Sequence, residues 1–220
     1  MHHTARNRVE ECMRWRLLST IGIALACVSC SGSSVPAAAT PIDSRESRLD
    51  DGVHVVERTV TYKLEGDGLS EVRAAMRRIG PLDGGSHQFG FTHVELGWSY
   101  PFERADGGCR TGPIHVEVEV TQTMPEWTAT AATNGAASRE WSRFLHALHV
   151  HEDGHRAIGL DTARRILAQQ RELGTYPSCD ALDAAANTLG DAALEAMRGR
   201  HREYDRTTRH GEDVGALLRQ

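Results

Sequence analysis

The sequence is poor in aromatic residues and carries no excess of positive charge. Phe, Trp and Tyr together make up 5% of the 220 residues, and 25 basic residues are outnumbered by 30 acidic ones, for a formal net charge of −5. A basic patch is the usual electrostatic footprint of nucleic-acid binding, so we expect no nucleic-acid partner. The length suits one folded domain, which we expect to be monomeric.

The sequence also lacks an apolar run long enough to cross a bilayer, which takes about 20 residues. Its longest apolar run, residues 17–28, is interrupted by small polar residues and follows Arg14 and Arg16. A short apolar stretch behind basic residues is the pattern of a secretory signal. We therefore predict a signal peptide over residues 1–30, with Met13 as an alternative start.

Two modes of signal-peptide processing stay open. Cleavage beside the small residues 37–39 would release the protein into the periplasm or the medium, whereas lipidation of Cys27 would attach it to the membrane as a lipoprotein. In both cases we expect an exported protein of the cell envelope. Residues 31–51 are rich in Ser, Pro, Ala and charge without an apolar period, which predicts a flexible tether.

Cysteine is scarce after the signal. Only Cys109 and Cys179 remain there, and exported proteins meet an oxidising environment. We therefore predict one disulfide between them, with two free thiols as the alternative. Such a bridge would close a loop of about 70 residues and stabilise the fold by about 3–4 kcal/mol.

The folded domain is predicted over residues 52–220, beginning with strands. Strand patterns cover residues 54–64, 89–100 and 114–124, a helix capped by Ser70 covers residues 71–79, and a Gly-rich loop covers residues 105–113. The third strand alternates strictly, with apolar residues on one face and His, Glu or Thr on the other. That alternation is typical of a half-buried antiparallel strand.

The second half of the domain has helical periodicity. Ser138 suits a helix cap, residues 139–173 contain no proline, and residues 181–204 form a second, alanine-rich helix. We predict an α+β fold in which a mixed, largely antiparallel sheet is followed by two long helices.

The first long helix contains the sequence His151-Glu152-Asp153-Gly154-His155, an H-E-x-x-H motif. Residues four apart lie above one another on a helix, so both imidazoles can bind one zinc ion while Glu152 acts as the general base. The apolar stripe that includes Trp141 and Phe144 continues into both histidines, which places them on the buried face. Histidines that are hydrogen-bonded within the core are the alternative.

A catalytic zinc site needs a third protein ligand. Asp161 has the spacing of one zinc-peptidase class, but that class needs glycine where this chain has Ile158, so we reject it. If the two long helices pack antiparallel from a short turn, the second one overshoots the zinc level, and a reversal at Gly211 could return His210 to it. We predict His210 as the third ligand, with Asp205 either supporting it or taking its place.

These features together resemble a known family, the predicted secreted zinc-dependent bacterial proteases, catalogued as domain of unknown function nine hundred and twenty-two. The resemblance rests on Gly80-Pro81, Trp98, Tyr100, Cys109, Pro125, Trp127, Trp141, the H-E-x-x-H motif, Cys179, Tyr204-Asp205, Thr208 and His210-Gly211. It implies an exported zincin-like metalloprotease with His151 and His155 as zinc ligands and Glu152 as base.

The favoured function is a zinc-dependent metalloprotease that hydrolyses peptide bonds of a peptide or protein substrate with a zinc-activated water. A hydrolase of cell-wall peptides would use the same chemistry. The alternative is a non-catalytic, zinc-binding envelope lipoprotein that binds a partner. Structural zinc sites usually have four ligands, whereas here three are found beside a free Glu152, which favours catalysis.

Overall fold

A computed structural model describes residues 41–128 and 135–219 of the chain. The strands in this part are β1 (Pro41–Asp50), β2 (Val53–Leu64), β3 (Leu82–Asp83), β4 (Ser86–His87), β5 (Phe91–Ser99), β6 (Phe102–Ala105), β7 (Gly108–Thr111) and β8 (His115–Trp127). The helices are α1 (Leu69–Ile79), α2 (Gly135–Arg171) and α3 (Cys179–Thr208), followed by a 3₁₀ turn over Glu212–Val214. The predicted signal peptide over residues 1–30, including Met13 and Cys27, lies outside the described residues.

Strand β8 is central to the main sheet, whose order is β1-β2-β8-β5. It runs parallel to β2 and antiparallel to β5, and β1 is antiparallel to β2. The predicted alternation along β8 is confirmed, because Val116, Val118 and Val120 are buried while His115 and Glu117 are exposed. The sheet is therefore mixed and largely antiparallel, as predicted.

Both long helices pack on the apolar face of this sheet. Ile158 and Ile166 of α2 and Met197 of α3 belong to the same buried cluster as the valines of β8. This arrangement confirms the predicted α+β architecture. Among the described residues, no helix has the length and apolar character needed to cross a membrane.

The two long helices run antiparallel in a register that decides which residues meet at the site. The side-chain amide of Gln170 donates to the carbonyl of Ala186, and the ring of His155 lies against that of His201. Each step back along α2 thus matches one step forward along α3. Arg171, the last residue of α2, therefore lies opposite the second turn of α3, so the first turns of α3 extend beyond the end of α2.

The predicted disulfide between Cys109 and Cys179 is present, with an S–S distance of 2.07 Å. The backbone of Cys109 also pairs with that of Tyr176 through two hydrogen bonds of 2.8 Å. The connection between the long helices is thus attached to the hairpin formed by β6 and β7. This attachment holds the start of α3 away from the end of α2.

The predicted tether over residues 31–51 is wrong for residues 41–50, which form β1. This strand pairs antiparallel with β2 over residues 53–60. Its sequence has no apolar period, but a backbone ladder does not require one, because the peptide groups themselves donate and accept the hydrogen bonds. The folded part of the chain therefore includes residues 41–51, before the predicted start at residue 52.

Some boundaries differ from the predicted ones. Helix α1 begins at Leu69, so Ser70 is not its cap, and α2 begins at Gly135, before Ser138. The predicted loop over residues 105–113 contains part of the β6–β7 hairpin. Capping signals in a sequence mark a helix end only to within a few residues, because several neighbouring positions can supply the cap.

Candidate metal centre

Helix α2 supplies the three residues of the H-E-x-x-H motif. His151, Glu152 and His155 are 4%, 3% and 8% exposed, although all three are polar. They follow the buried residues Phe144 and Leu148 on the same face of the helix, as the apolar stripe predicts. Burying polar side chains this deeply is costly unless each has a partner, so the partners indicate what the site is built for.

Asp205 of α3 is the partner that the two histidines share. Its Oδ1 atom lies 3.2 Å from Nε2 of His151 and 3.0 Å from Nε2 of His155. Ligand atoms of these three residues all lie within 4.8 Å of one another, and the group could hold a metal ion. Two imidazole nitrogens and one carboxylate oxygen are donors that suit zinc.

The other ring nitrogen of each histidine has its own partner. Nδ1 of His155 lies 2.9 Å from Nδ1 of His201, and Nδ1 of His151 lies 3.5 Å from the hydroxyl oxygen of Thr208. That hydroxyl donates its hydrogen to the carbonyl of Tyr204 at 2.8 Å, so towards His151 its oxygen can only accept. With a metal ion bound, an acceptor at Nδ1 would favour the tautomer of His151 that carries hydrogen on Nδ1 and leaves Nε2 unprotonated, as a metal ligand must be.

The site also shifts the charge states of its members. Burial by itself would raise the pKa of Asp205, but hydrogen bonds from His151 and His155 outweigh it and hold that pKa well below its usual range. Burial lowers the pKa of His201 to about 4, helped by the neighbouring His155, so His201 is neutral at pH 7. A carboxylate anion is therefore available where a cation would bind.

Glu152 is held beside this group without joining it. Its Oε2 atom accepts a hydrogen bond of 2.7 Å from the hydroxyl of Thr92 on β5, and its Oε1 atom lies next to Gly90. Burial raises the pKa of Glu152, while the bond from Thr92 and the two nearby histidines oppose that rise. A carboxylate with a raised pKa and one fixed oxygen is well suited to take a proton.

Two glycines allow close packing around the histidines. A Cβ atom at Gly154 would lie 2.2 Å from the ring of Tyr204, which stacks on His151 with centroids 5.1 Å apart. A Cβ atom at Gly211 would lie 2.9 Å from Cγ of His151, and Gly211 has a φ of 84°. Both positions therefore require glycine if the imidazole of His151 is to keep its place.

A cleft of about 970 Å³ opens onto the site. His151, Glu152, His155 and Asp205 line it together with every residue from 88 to 96. Side chains of a strand alternate between its two faces, so a cleft lined by consecutive residues follows the edge of β5. Because β5 is an outer strand of the main sheet, that edge carries backbone groups with no sheet partner in the described residues.

His210, predicted as the third ligand, is not among the three residues whose ligand atoms cluster. Its Nδ1 atom is 3.8 Å from Oδ1 of Asp205, and its side chain is 70% exposed. The preference for His210 over Asp205 is therefore corrected. The prediction assumed that α3 starts level with the end of α2. Because the first turns of α3 extend beyond that point, α3 passes the level of His151 and His155 by fewer residues than predicted. The rejection of Asp161 agrees with its ion pairs to Arg165 and Arg200.

Three polar contacts of the site were not predicted from the sequence: those of Thr92, His201 and Thr208. Thr208 was noted only as part of the family resemblance. His201 stands four residues before Asp205, so the same helical spacing that pairs His151 with His155 pairs these two on α3. That spacing was a signal in the sequence. Thr92 is 60 residues from Glu152 in the sequence, and no local pattern predicts their contact.

Comparison with known proteins identifies one family. No curated protein and no solved structure matches the chain. A family model described as "Bacterial protein of unknown function (DUF922)" matches residues 59–211, more than half of the chain, including the H-E-x-x-H motif and Asp205. The chain therefore belongs to this bacterial family.

Proposed function

We propose that the protein is a zinc-dependent peptidase of zincin type. The observation that carries the proposal is the convergence of both Nε2 atoms of His151 and His155 on one oxygen of Asp205, with Glu152 beside them but engaged elsewhere. Three protein ligands with a separate carboxylate are the composition of a catalytic zinc site rather than a structural one. When bound, zinc would lower the pKa of a coordinated water to about 7 and polarise a substrate carbonyl.

Glu152 is the general base of this proposal. The hydroxyl of Thr92 holds its Oε2 atom, which leaves Oε1 to accept a proton from water beside Gly90, a residue that lines the cleft. The contact with Thr92 limits rotation of the carboxylate. The raised pKa of Glu152 strengthens it as a proton acceptor, and the opposing contacts limit that rise.

The edge of β5 supports a peptide as the substrate. An extended chain can add to an unpaired strand edge through backbone hydrogen bonds, a mode that selects polypeptide over other amides. Every residue from 88 to 96 borders the cleft, so such a chain would lie along β5 and pass Glu152. A peptide carbonyl would then stand in front of Asp205 and the two histidines.

An exported location is part of the proposal. The signal-like segment over residues 17–28 and the Cys109–Cys179 disulfide both suit an oxidising compartment outside the cytoplasm. Lipid attachment through Cys27 and free export remain the two forms of this proposal. Mass spectrometry of the protein taken from its native envelope would separate them, since only the lipoprotein begins at an acylated Cys27.

The test combines metal analysis with cleavage. The full chain is expected to bind close to one zinc ion and to cleave members of a mixed peptide library. Glu152→Gln should keep the metal and lose about 10²–10⁴-fold in kcat, which is the usual contribution of a general base. Asp153→Asn changes the neighbouring exposed carboxylate of the same motif and should keep both properties.

Two results would contradict the proposal. Loss of bound zinc in Glu152→Gln would make that carboxylate a ligand rather than a base. Stable zinc binding without cleavage of any peptide by the unmodified protein would favour the non-catalytic, zinc-binding envelope lipoprotein instead.

A further inference from the structure

The chain reverses direction after α3 through three successive residues in the left-handed region. Arg209 has a φ of 51°, His210 a φ of 53° and Gly211 a φ of 84°. Only glycine adopts this region without strain, and two consecutive non-glycine residues there are uncommon. Backbone strain of this kind tends to persist where it serves a site.

The reversal brings His210 to the cleft and leaves its imidazole ring without a hydrogen bond within the described part of the chain. The backbone N–H of His210 donates to the carbonyl of Asp205 at 2.8 Å, which fixes where the residue leaves the helix. Its imidazole lines the cleft, 70% exposed, with Nδ1 at 3.8 Å from Oδ1 of Asp205. That distance is too long for a hydrogen bond, and among the described residues the ring has no other polar contact. An uncommitted imidazole donor therefore stands beside the three clustered ligands.

We propose that His210 is a catalytic residue that hydrogen-bonds the carbonyl oxygen of the peptide bond being cleaved. This role rests on the proposed peptidase function. As water adds to the carbonyl carbon, a C–O bond forms, the π electron pair of the carbonyl moves onto its oxygen, and the proton of the water passes to Glu152. An N–H of His210 donates to that oxygen as its negative charge grows. Removing one such donor costs about 10²–10³-fold in kcat.

The principal variant is His210→Gly, because glycine fits a φ of 53° and removes only the imidazole. The full chain, loaded with one equivalent of zinc, is assayed on a fluorogenic peptide selected from those that the unmodified protein cleaves. We expect kcat to fall about 10²–10³-fold with little change in KM. Zinc affinity, measured by competition with a chelator, should be unchanged, and the melting temperature should be equal or higher since strain is relieved.

Two further variants separate the role of the imidazole from that of the backbone reversal. Arg209→Gly relieves the same kind of strain one residue earlier and keeps the imidazole, so its kcat should stay near that of the unmodified protein. His210→Asn keeps a hydrogen-bond donor on a residue that tolerates the left-handed region, so it should recover part of the lost kcat. Binding of a phosphinic peptide, whose tetrahedral oxygens mimic the charged oxygen, should weaken in His210→Gly and not in Arg209→Gly.

Each contrary result has a definite meaning. Loss of zinc in His210→Gly would make His210 a metal ligand, and unchanged kcat would remove it from the reaction. An equal fall of kcat in Arg209→Gly would assign the effect to the shape of the reversal. If the unmodified protein cleaves no peptide, it is the proposed peptidase function that fails, and this result is distinct from the other three.

Discussion

Gly211 offers a sharp test of how the backbone shapes the proposed metal centre. Changing it to alanine has two physical costs. A φ of 84° is unfavourable for a residue with a side chain by about 1–2 kcal/mol. The new methyl group would also lie 2.9 Å from Cγ of His151 and 3.0 Å from Cβ of Ala216, so the imidazole must move by a few tenths of an ångström. Overpacking of this kind costs about a further 1 kcal/mol.

Gly107 provides the matched control. Its φ is 87°, almost the same as that of Gly211, but a Cβ atom there would have no neighbour within 4 Å. Gly107→Ala therefore has the backbone cost alone. For a domain of this size each kcal/mol of lost stability lowers the melting temperature by about 2–4 °C. Both variants should therefore melt at a lower temperature than the unmodified protein, and Gly211→Ala at the lowest.

Zinc affinity separates the two variants, because only one methyl group presses on a proposed ligand. We expect chelator competition to show about 10–100-fold weaker zinc binding for Gly211→Ala, the range seen when the supports of a metal ligand are disturbed. Gly107→Ala should bind zinc like the unmodified protein. Equal zinc affinity in both variants would refute the claim that the backbone at Gly211 positions His151.

Three other predictions concern a hydrogen bond to Glu152, the disulfide and an ion pair within α2. Thr92→Val should lower kcat about 10–100-fold, because a buried hydrogen bond to a charged carboxylate is worth about 1.5–3 kcal/mol. Thr92→Ser keeps the hydroxyl and should therefore keep most of the kcat of the unmodified protein. Replacing Cys109 and Cys179 by serine should lower the free energy of unfolding by about 3–4 kcal/mol in denaturant melts, and a loss below about 1 kcal/mol would contradict the loop argument. On α2, the guanidinium of Arg143 donates hydrogen bonds of 2.8 and 2.7 Å to Glu140 and lowers the pKa of that carboxyl from 4.5 to about 2. These bonds therefore stabilise the fold above pH 4.5 and are lost as the pH falls towards 2. Glu140→Gln should therefore be less stable than the unmodified protein at pH 7 and equal to it near pH 2, and a difference independent of pH would contradict this assignment.

Features that depend on local periodicity could be predicted from the sequence. The alternation that buries Val116 and Val118 is a property of a single strand, and the spacing of His151 and His155 is a property of a single helix. Such patterns identify which face is buried without any knowledge of the partner element. The pairing of the two cysteines was equally accessible, since only these two follow the predicted signal peptide.

The third member of the candidate metal group depends on how the two long helices are aligned, which no local pattern specifies. Gln170 meets Ala186 because the connection before α3 is attached to the hairpin that carries Cys109. This offset brings Asp205, rather than a residue further on, level with His151. Strand β1 was missed for a related reason: its pairing is made by backbone groups, which leave no trace in the side-chain pattern.

The position of the donor group along the chain has a consequence for biosynthesis. His155 and Asp205 are 50 residues apart, so a ribosome adding about 5–20 residues per second separates their appearance by roughly 3–10 s. When that interval begins the strands are already made, α2 is completed early in it, and of the three clustered residues only the two histidines are present. The complete set of donors arises once α3 has been made and has folded back along α2. The order of synthesis thus delays the proposed centre until the strands and α2 exist.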